Sequence, residues 1–332
     1  MKRGRKSGEL RHQHERPEGS WDELLAPGGA VDAPRGETAI VIYVGSARCR
    51  AVYRGEEIDV VVPSGIAVKQ KSMLAVGDRI VVAGEAGAWR LESILPRRSA
   101  LARPDPLRPH MQRLIAANID VVVHVVSVKA PPLRPRLIDR YLIAIMRGGA
   151  RPVICVNKID LLDDEDRREE LARLDVYRAL EVPVIACSTR TGEGLDALRA
   201  EAEGMTTALV GHSGVGKSSI LNAIDQRLQL ATNTLHRRGT GRHTTTASTL
   251  YDFGGGTYLI DTPGIREFGL WDLDRASLRD YFPEFEEPAE YCRFTDCTHV
   301  HEPDCEVKER LERREINAAR YETYLRLYED LA

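Results

Sequence analysis

Gly211, Gly216, Lys217 and Ser218 stand in the pattern Gly-x4-Gly-Lys-Ser, a spacing suited to holding phosphates. Glycines let successive backbone N–H groups curl round a β-phosphate. Lys217 adds a point charge toward the β- and γ-phosphates, and the Ser218 hydroxyl suits magnesium. The loop Gly211-His212-Ser213-Gly214-Val215-Gly216-Lys217-Ser218 follows a strand-like run, Thr207 to Val210, and Ser219 to Ile224 reads as the helix after it. Strand before and helix after distinguish such a loop from a chance glycine-rich turn. Downstream, Asp261-Thr262-Pro263-Gly264 ends the apolar run Tyr258 to Ile260. There Asp261 suits magnesium, usually through water, and the Gly264 N–H suits the γ-phosphate.

A second constellation concerns the base. Asn157-Lys158-Ile159-Asp160 closes the apolar run Val153 to Val156. A carboxylate at Asp160 accepts from guanine N1 and N2 and rejects adenine, which offers no such donor pair. The expected nucleotide is therefore GTP. Asn157 is expected to bond the opposite base edge and tie the loops together, with the Lys158 stem over the base plane. Ser188-Thr189-Arg190, after the next strand, supplies a backbone loop for the guanine carbonyl. In an ordinary small G protein the phosphate loop opens the domain and the base motif closes it; here the order is reversed, as in a circularly permuted GTPase.

Between these motifs lies a polar stretch, Arg237-Arg238-Gly239-Thr240-Gly241-Arg242-His243-Thr244-Thr245-Thr246, read as a nucleotide-dependent switch. One threonine, Thr245 ahead of Thr246, is expected to complete the magnesium shell when the γ-phosphate is present. Ile265 follows Gly264 and has no atom to orient water, so intrinsic hydrolysis is expected to be slow. His243 is the candidate for positioning water, with Arg242 as an alternative charge stabiliser; Lys217 and Thr245 complete the catalytic set.

The elements that must position these residues divide the chain of 332 residues. Five β-rich runs separated by glycine, between Thr38 and Leu95, predict a small barrel, OB-type before SH3-like. The segment Arg97 to Pro109 carries three prolines and reads as a boundary that continues neither sheet nor helix. Beyond it, buried runs at Val121 to Val126, Val153 to Val156, Val184 to Ala186, Ala208 to Val210 and Tyr258 to Ile260 suit a mostly parallel sheet. Helices are expected over Pro135 to Met146, Asp164 to Leu180 and Leu195 to Glu203. The fold class is multidomain α/β. The expected domains are a disordered basic leader 1–36, an OB-fold barrel 37–98, a circularly permuted P-loop GTPase domain 105–272, and a zinc-binding domain with a C-terminal helix 273–332.

Six cysteines in a large chain point to burial or metal ligation rather than disulfides. Cys49, Cys155 and Cys187 sit singly in apolar runs. Cys292, Cys297, His299 and Cys305 offer three thiolates and an imidazole, a set for tetrahedral zinc, one per chain, with His301 as rival to His299. Glu306 to Leu331 reads as one helix beside them. The leader holds Lys2, Arg3, Arg5, Lys6, Arg11 and Arg16 among its first sixteen residues, either a solvated tail or an arm for phosphate backbone. No signal peptide or membrane span is evident, and a cytoplasmic monomer without membrane contact is expected.

Together these motifs resemble the ribosome small-subunit-dependent GTPase A family. The resemblance rests on the barrel, the stretch Arg98-Ser99-Ala100-Leu101-Ala102-Arg103-Pro104, Asn157 to Asp160 ahead of the phosphate loop, Gly241 to Thr246, Asp261 to Phe268 and the Cys/His knot, in that order. It implies GTP hydrolysis stimulated by the small ribosomal subunit, ribosomal RNA as partner, a late role in subunit assembly with release after hydrolysis, and involvement of His243 in hydrolysis. Two alternatives remain open: an RNA-binding scaffold in which GTP only orders the switch, and a permuted GTPase of the large subunit.

Overall fold

The computed structural model describes residues 25, 37–63, 74–85, 87–104, 112–224, 248–262 and 273–331. Five strands close the first unit: β1 (Glu37–Val44), β2 (Arg48–Tyr53), β3 (Glu56–Val61), β4 (Arg79–Ala83) and β5 (Trp89–Ile94). They run in the order β1-β2-β3-β5-β4 with β1 closing on β4, and β3 pairs with β5 in parallel. That order is the OB-type one and settles the choice against an SH3-like barrel. Arg54 and Gly55, both at positive φ, join β2 to β3, the two-residue turn whose twist matches a hairpin. Alternate residues of these strands, among them Val41, Ala51, Val60, Ile80 and Leu91, fill the barrel.

The expectation that Arg97 to Pro109 continues neither sheet nor helix is corrected. Ala100–Pro104 forms β6 and pairs antiparallel with β7 (Gln112–Ala117), because the small apolar residues 100–102 are buried at 3% exposure or less and outweigh the prolines that follow. This hairpin joins the two units. Asn118 Nδ2 donates to Gly77 O at 3.0 Å and Ser99 Oγ to Ile119 O at 2.5 Å. The buried Arg97 guanidinium bonds both Asp78 oxygens, at 2.6 and 2.9 Å. Leu25, the one described residue of the leader, also lies here: its carbonyl accepts from Arg97 N at 2.8 Å and its side chain packs beside Ala100 and Ala102. The rest of the expected leader lies outside the described residues.

The second unit is a six-stranded sheet. Its order is β10 (Val184–Ala186), β9 (Arg151–Asn157), β8 (Val121–Ser127), β11 (Thr206–Val210), β13 (Tyr258–Asp261), β12 (Thr249–Asp252). All pairs are parallel except β12 with β13. β8 is buried along its whole length, as a strand covered on both faces must be. Helices α1 (Pro135–Arg147), α2 (Asp164–Ala172), α3 (Asp175–Ala179), α4 (Leu195–Ala202) and α5 (Lys217–Ile224) supply the crossovers. The single helix expected over Asp164 to Leu180 is two, broken at Leu174, which turns inward to full burial.

The third unit packs α6 (Glu286–Ala289), α7 (Glu306–Glu312) and α8 (Ala318–Asp330) around Phe282, Phe285, Tyr321 and Tyr324. The continuous helix expected over Glu306 to Leu331 breaks after Glu312. Arg314 takes a positive φ, Ile316 is buried, and Asn317 caps α8 by accepting from Ala319 N and Arg320 N. This unit is bound to the sheet domain by ion pairs inside the interface. Arg320 donates to Asp139 Oδ1 at 2.8 Å and to Glu284 Oε1 and Oε2 at 2.7 and 2.9 Å, while Tyr177 OH donates to Asp139 at 2.8 Å. No helix among the described residues is long and apolar enough to cross a membrane.

Candidate active site and metal centre

The phosphate loop leaves β11, in the sheet interior between β8 and β13, and runs into the N-terminus of α5. Its glycines are structural requirements. A Cβ on Gly211, at φ 140°, would lie 2.2 Å from Val125 O, and one on Gly216, at φ 98°, would lie 2.3 Å from Asn157 Nδ2. Only glycine admits both the backbone angles and the close approach. Val215 is buried under the loop, whereas Ser213, Gly214, Ser218 and Ser219 are exposed. Lys217 folds back inside the loop, its ammonium donating to Gly211 O at 2.5 Å and His212 O at 3.0 Å. Burial lowers the Lys217 pKa and Asp261 opposes the shift; burial raises that of Asp261, countered by Lys217. The two groups thus face a common, partly desolvated space. Asp261 pairs with Leu209 in the strand register, and Thr262 Oγ1 donates to Leu209 O at 2.5 Å, fixing the end of β13 beside the loop.

The base motif meets this loop across the sheet top. Asn157 is buried and its Nδ2 donates to Val215 O at 2.9 Å. Lys158, at φ 67°, places its ammonium between Gly214 O and Ala130 O, 2.6 Å from each. Ile159 is buried and its N–H donates to Cys187 O at 3.3 Å. Asp160 is held by Ser188, whose hydroxyl donates to Oδ1 at 2.6 Å. The same hydroxyl accepts from the N–H groups of Arg190 and Thr191, both at 3.2 Å, so the turn containing Thr189 is braced against the motif. Two segments remote in sequence therefore present one carboxylate edge and one loop of backbone on the same side. Of the other expected site residues, His243, Thr245 and Gly264, with Arg242, Thr246 and Ile265, lie outside the described residues.

His124 was not singled out in the sequence, yet it is buried beneath the loop, and neither ring nitrogen has a hydrogen-bond partner among the described residues. It stacks on Tyr141, ring centroids 3.9 Å apart, and borders a cavity of about 160 Å³ with His212 and Val215. Burial, with Lys217 and His212 nearby, pulls its pKa down to about 3, so the imidazole is neutral near pH 7. The one available signal was a histidine interrupting the valine run of β8. The Arg320–Asp139 pair was equally hidden, because its partners lie 181 residues apart.

In the third unit Cys292, Cys297, His299 and Cys305 bring one ligand atom each to within 4.8 Å of one another. Cys292 Sγ lies 3.9 Å from Cys305 Sγ, and His299 Nδ1 lies 3.6 and 3.5 Å from those two sulfurs. Edges of a zinc tetrahedron with ordinary bond lengths are about 3.8 Å for S···S and about 3.6 Å for S···N, so the cluster fits a metal ion of that size. Burial lowers the His299 pKa to about 4, which keeps the imidazole neutral as a ligand must be. His301, the rival, is exposed and outside the cluster.

Comparison with known proteins places these features in context. Residues 94–271 match the family model described as RsgA GTPase. A relative in Dickeya dadantii (strain 3937), named small ribosomal subunit biogenesis GTPase RsgA, is 42% identical over 272 residues, covering 78% of this chain and 76% of its own. One of the same name in Gemmatimonas aurantiaca is 40% identical over 262 residues, covering 78% and 84%. Among solved structures, YjeQ from Thermotoga maritima superposes with a TM-score of 0.73 at 32% identity, covering 89% of this chain and 98% of that one. YloQ, described as a circularly permuted GTPase, gives 0.69 at 27% identity, with 91% and 97% covered.

Proposed function

Because the chain belongs to the RsgA GTPase family and is a GTP hydrolase, we propose that it acts in biogenesis of the small ribosomal subunit, the role that the names of its relatives state for them. The observation that carries the site assignment is the bond from Asn157 Nδ2 to Val215 O. It joins base motif and phosphate loop, which supports reading them as one nucleotide site although the chain enters them in reverse order.

In this reading Asp160 accepts guanine N1–H and N2–H, its carboxylate oriented by Ser188. Asn157 holds the opposite base edge and the Lys158 stem lies over the base plane, with Ile159 as buried support. The Ser188 to Thr189 backbone receives the guanine carbonyl. The N–H groups from Gly211 through Ser219, with His212, Ser213, Gly214, Val215 and Gly216 between them, wrap the phosphates. Lys217 exchanges its two carbonyl partners for β- and γ-phosphoryl oxygens, a neutral-to-charged gain in hydrogen bonding. Ser218 and Asp261 would hold magnesium, directly or through water, and Thr245 would join them in the GTP state. A magnesium ion held there would supply positive charge against the charge that develops on the phosphates. Gly264 senses the γ-phosphate, and His243 positions the attacking water once a partner folds the switch over the nucleotide.

The finer reading is a hydrolase stimulated by the small subunit, docked on that subunit and its ribosomal RNA through the barrel and the zinc domain in a late assembly state and released after hydrolysis. It places the protein in the cytoplasm as a monomer. Zinc fills the Cys292, Cys297, His299, Cys305 cluster. Phosphate release with and without purified small subunits tests the central claim: a marked rise with subunits is expected, and no rise would refute it. His243→Ala should abolish the stimulated rate and spare GTP binding.

A further inference from the structure

We propose that Glu302 is a positioning residue for the metal centre, holding the turn from Thr298 to His301 so that His299 rather than His301 faces the three cysteine sulfurs. The proposal rests on the reading of Cys292, Cys297, His299 and Cys305 as a zinc site and adds a residue outside that ligand set. Donors from three residues of the turn converge on the Glu302 carboxylate. Oε1 accepts from Thr298 N at 2.9 Å and from Thr298 Oγ1 at 2.7 Å, while Oε2 accepts from Val300 N at 3.2 Å and from His301 N at 3.1 Å. Each oxygen takes two bonds, so the carboxylate is spent on the turn itself.

The residue enclosed by these bonds is a histidine at φ 61°. The left-handed region costs a residue with a Cβ about 1–2 kcal/mol, and such a conformation persists only where its surroundings fix it. Helix α8 supplies the remaining ties. Tyr324 OH donates to Thr298 O at 2.5 Å and Tyr321 OH to His299 O at 2.7 Å. With its N–H groups held by Glu302 and its carbonyls by two tyrosines, the turn keeps one shape. In that shape His299 is fully buried, its Nδ1 3.6 and 3.5 Å from the sulfurs of Cys292 and Cys305, and His301 is exposed. Two imidazoles of equal chemistry compete for one ligand position, and the main chain decides between them. Groups that orient a metal ligand change metal affinity by about 10–100-fold when removed. Glutamine at position 302 keeps the size of the side chain, but whichever way its amide turns, the NH2 faces a main-chain N–H that needs an acceptor.

The test is a titration of the zinc-loaded full chain with a chromogenic chelator, zinc transfer being read by absorbance, with the cobalt(II)-exchanged chain in parallel to report the ligand set. Glu302→Gln is expected to weaken zinc at least tenfold (~1.4 kcal/mol or more) and to shift the cobalt ligand-field spectrum, with GTP affinity unchanged. His301→Ala should leave zinc affinity as it is in the parent. A parent chain that holds no zinc would sink the metal reading and the proposal with it, whereas zinc held within twofold by parent and Glu302→Gln would overturn the role of Glu302 alone. A tenfold loss in His301→Ala would also overturn it, since His301 would then be the ligand. So would a lower urea midpoint of Glu302→Gln at saturating zinc with zinc affinity unmoved, the mark of a merely structural carboxylate. If Glu302→Gln does not fold, Thr298→Val, which removes only the Oγ1 bond, is measured in its place. Zinc at least twofold weaker is expected there, and unchanged affinity would overturn the proposal.

Discussion

Arg320→Met tests whether the third unit is locked to the nucleotide domain by charge. Arg320 and Asp139 are 3% and 2% exposed and Glu284 is 14% exposed, so water screens none of them well. Removing the guanidinium leaves two carboxylates facing each other across the interface with three hydrogen bonds lost. Breaking a buried pair from one side costs about 3–5 kcal/mol, most of it the uncompensated charge left behind. Methionine retains much of the stem that packs on Phe282, whose ring centroid is 4.7 Å from the guanidinium carbon. In urea unfolding followed by dichroism, the transition of the C-terminal unit should move down by roughly 2 M at an m-value of about 2 kcal/mol/M. Adding Asp139→Asn and Glu284→Gln to Arg320→Met should recover part of the loss, because amides need no counter-charge. A variant within about 1 kcal/mol of the parent, or no recovery with the neutral partners, would refute the reasoning.

Further outcomes bear on the other sites. Asp160→Asn should weaken GTP by at least about tenfold, since hydrogen bonds to a charged acceptor contribute about 1.5–3 kcal/mol each, and should favour xanthosine nucleotide; unchanged GTP affinity in calorimetry would reject the base assignment. His124, pulled from 6.5 down to about 3, binds its proton in the unfolded chain first. Stability it contributes above pH 6.5 is therefore lost as pH falls toward 3, by up to about 1.4 kcal/mol per pH unit. His124→Phe keeps a ring against Tyr141 and should flatten that acid limb in denaturation measured between pH 4 and 7; an identical slope would show that His124 does not titrate this way. Elemental analysis should find one zinc per chain, and Cys305→Ser should remove it and unfold the C-terminal unit, since a small core around a metal depends on it for stability; full zinc in that variant would disprove ligation by Cys305.

Local chemistry was the most legible part. A phosphate loop is a run of backbone angles and close approaches, and Gly211 and Gly216 are required by atoms that the fold brings within 2.3 Å. Such constraints leave their mark at fixed spacing, as do four metal ligands packed into fourteen residues. The barrel strands were legible from alternation, and the parallel strands from continuous valine and isoleucine. Misread segments were those where tertiary burial outweighed local propensity. Prolines near Arg97 suggested a linker, yet Ala100 to Ala102 are buried in one strand of the hairpin. Helical spacing ran through Leu174 and Ile316, and both turn inward and break it.

The sequence by itself determined the chemistry available to this protein: the phosphate loop, a carboxylate suited to guanine, cysteines spaced for a metal, and the order in which the chain visits them. Only the tertiary structure decided how these parts are joined. Asn157 reaches Val215, Ser188 orients Asp160, and Arg320 bonds Asp139 across 181 residues of chain. Contacts of that kind depend on strand order and on the burial of both partners, quantities that no window along the chain contains. The neutral His124 under the loop is a consequence of the same packing, since burial sets its proton affinity.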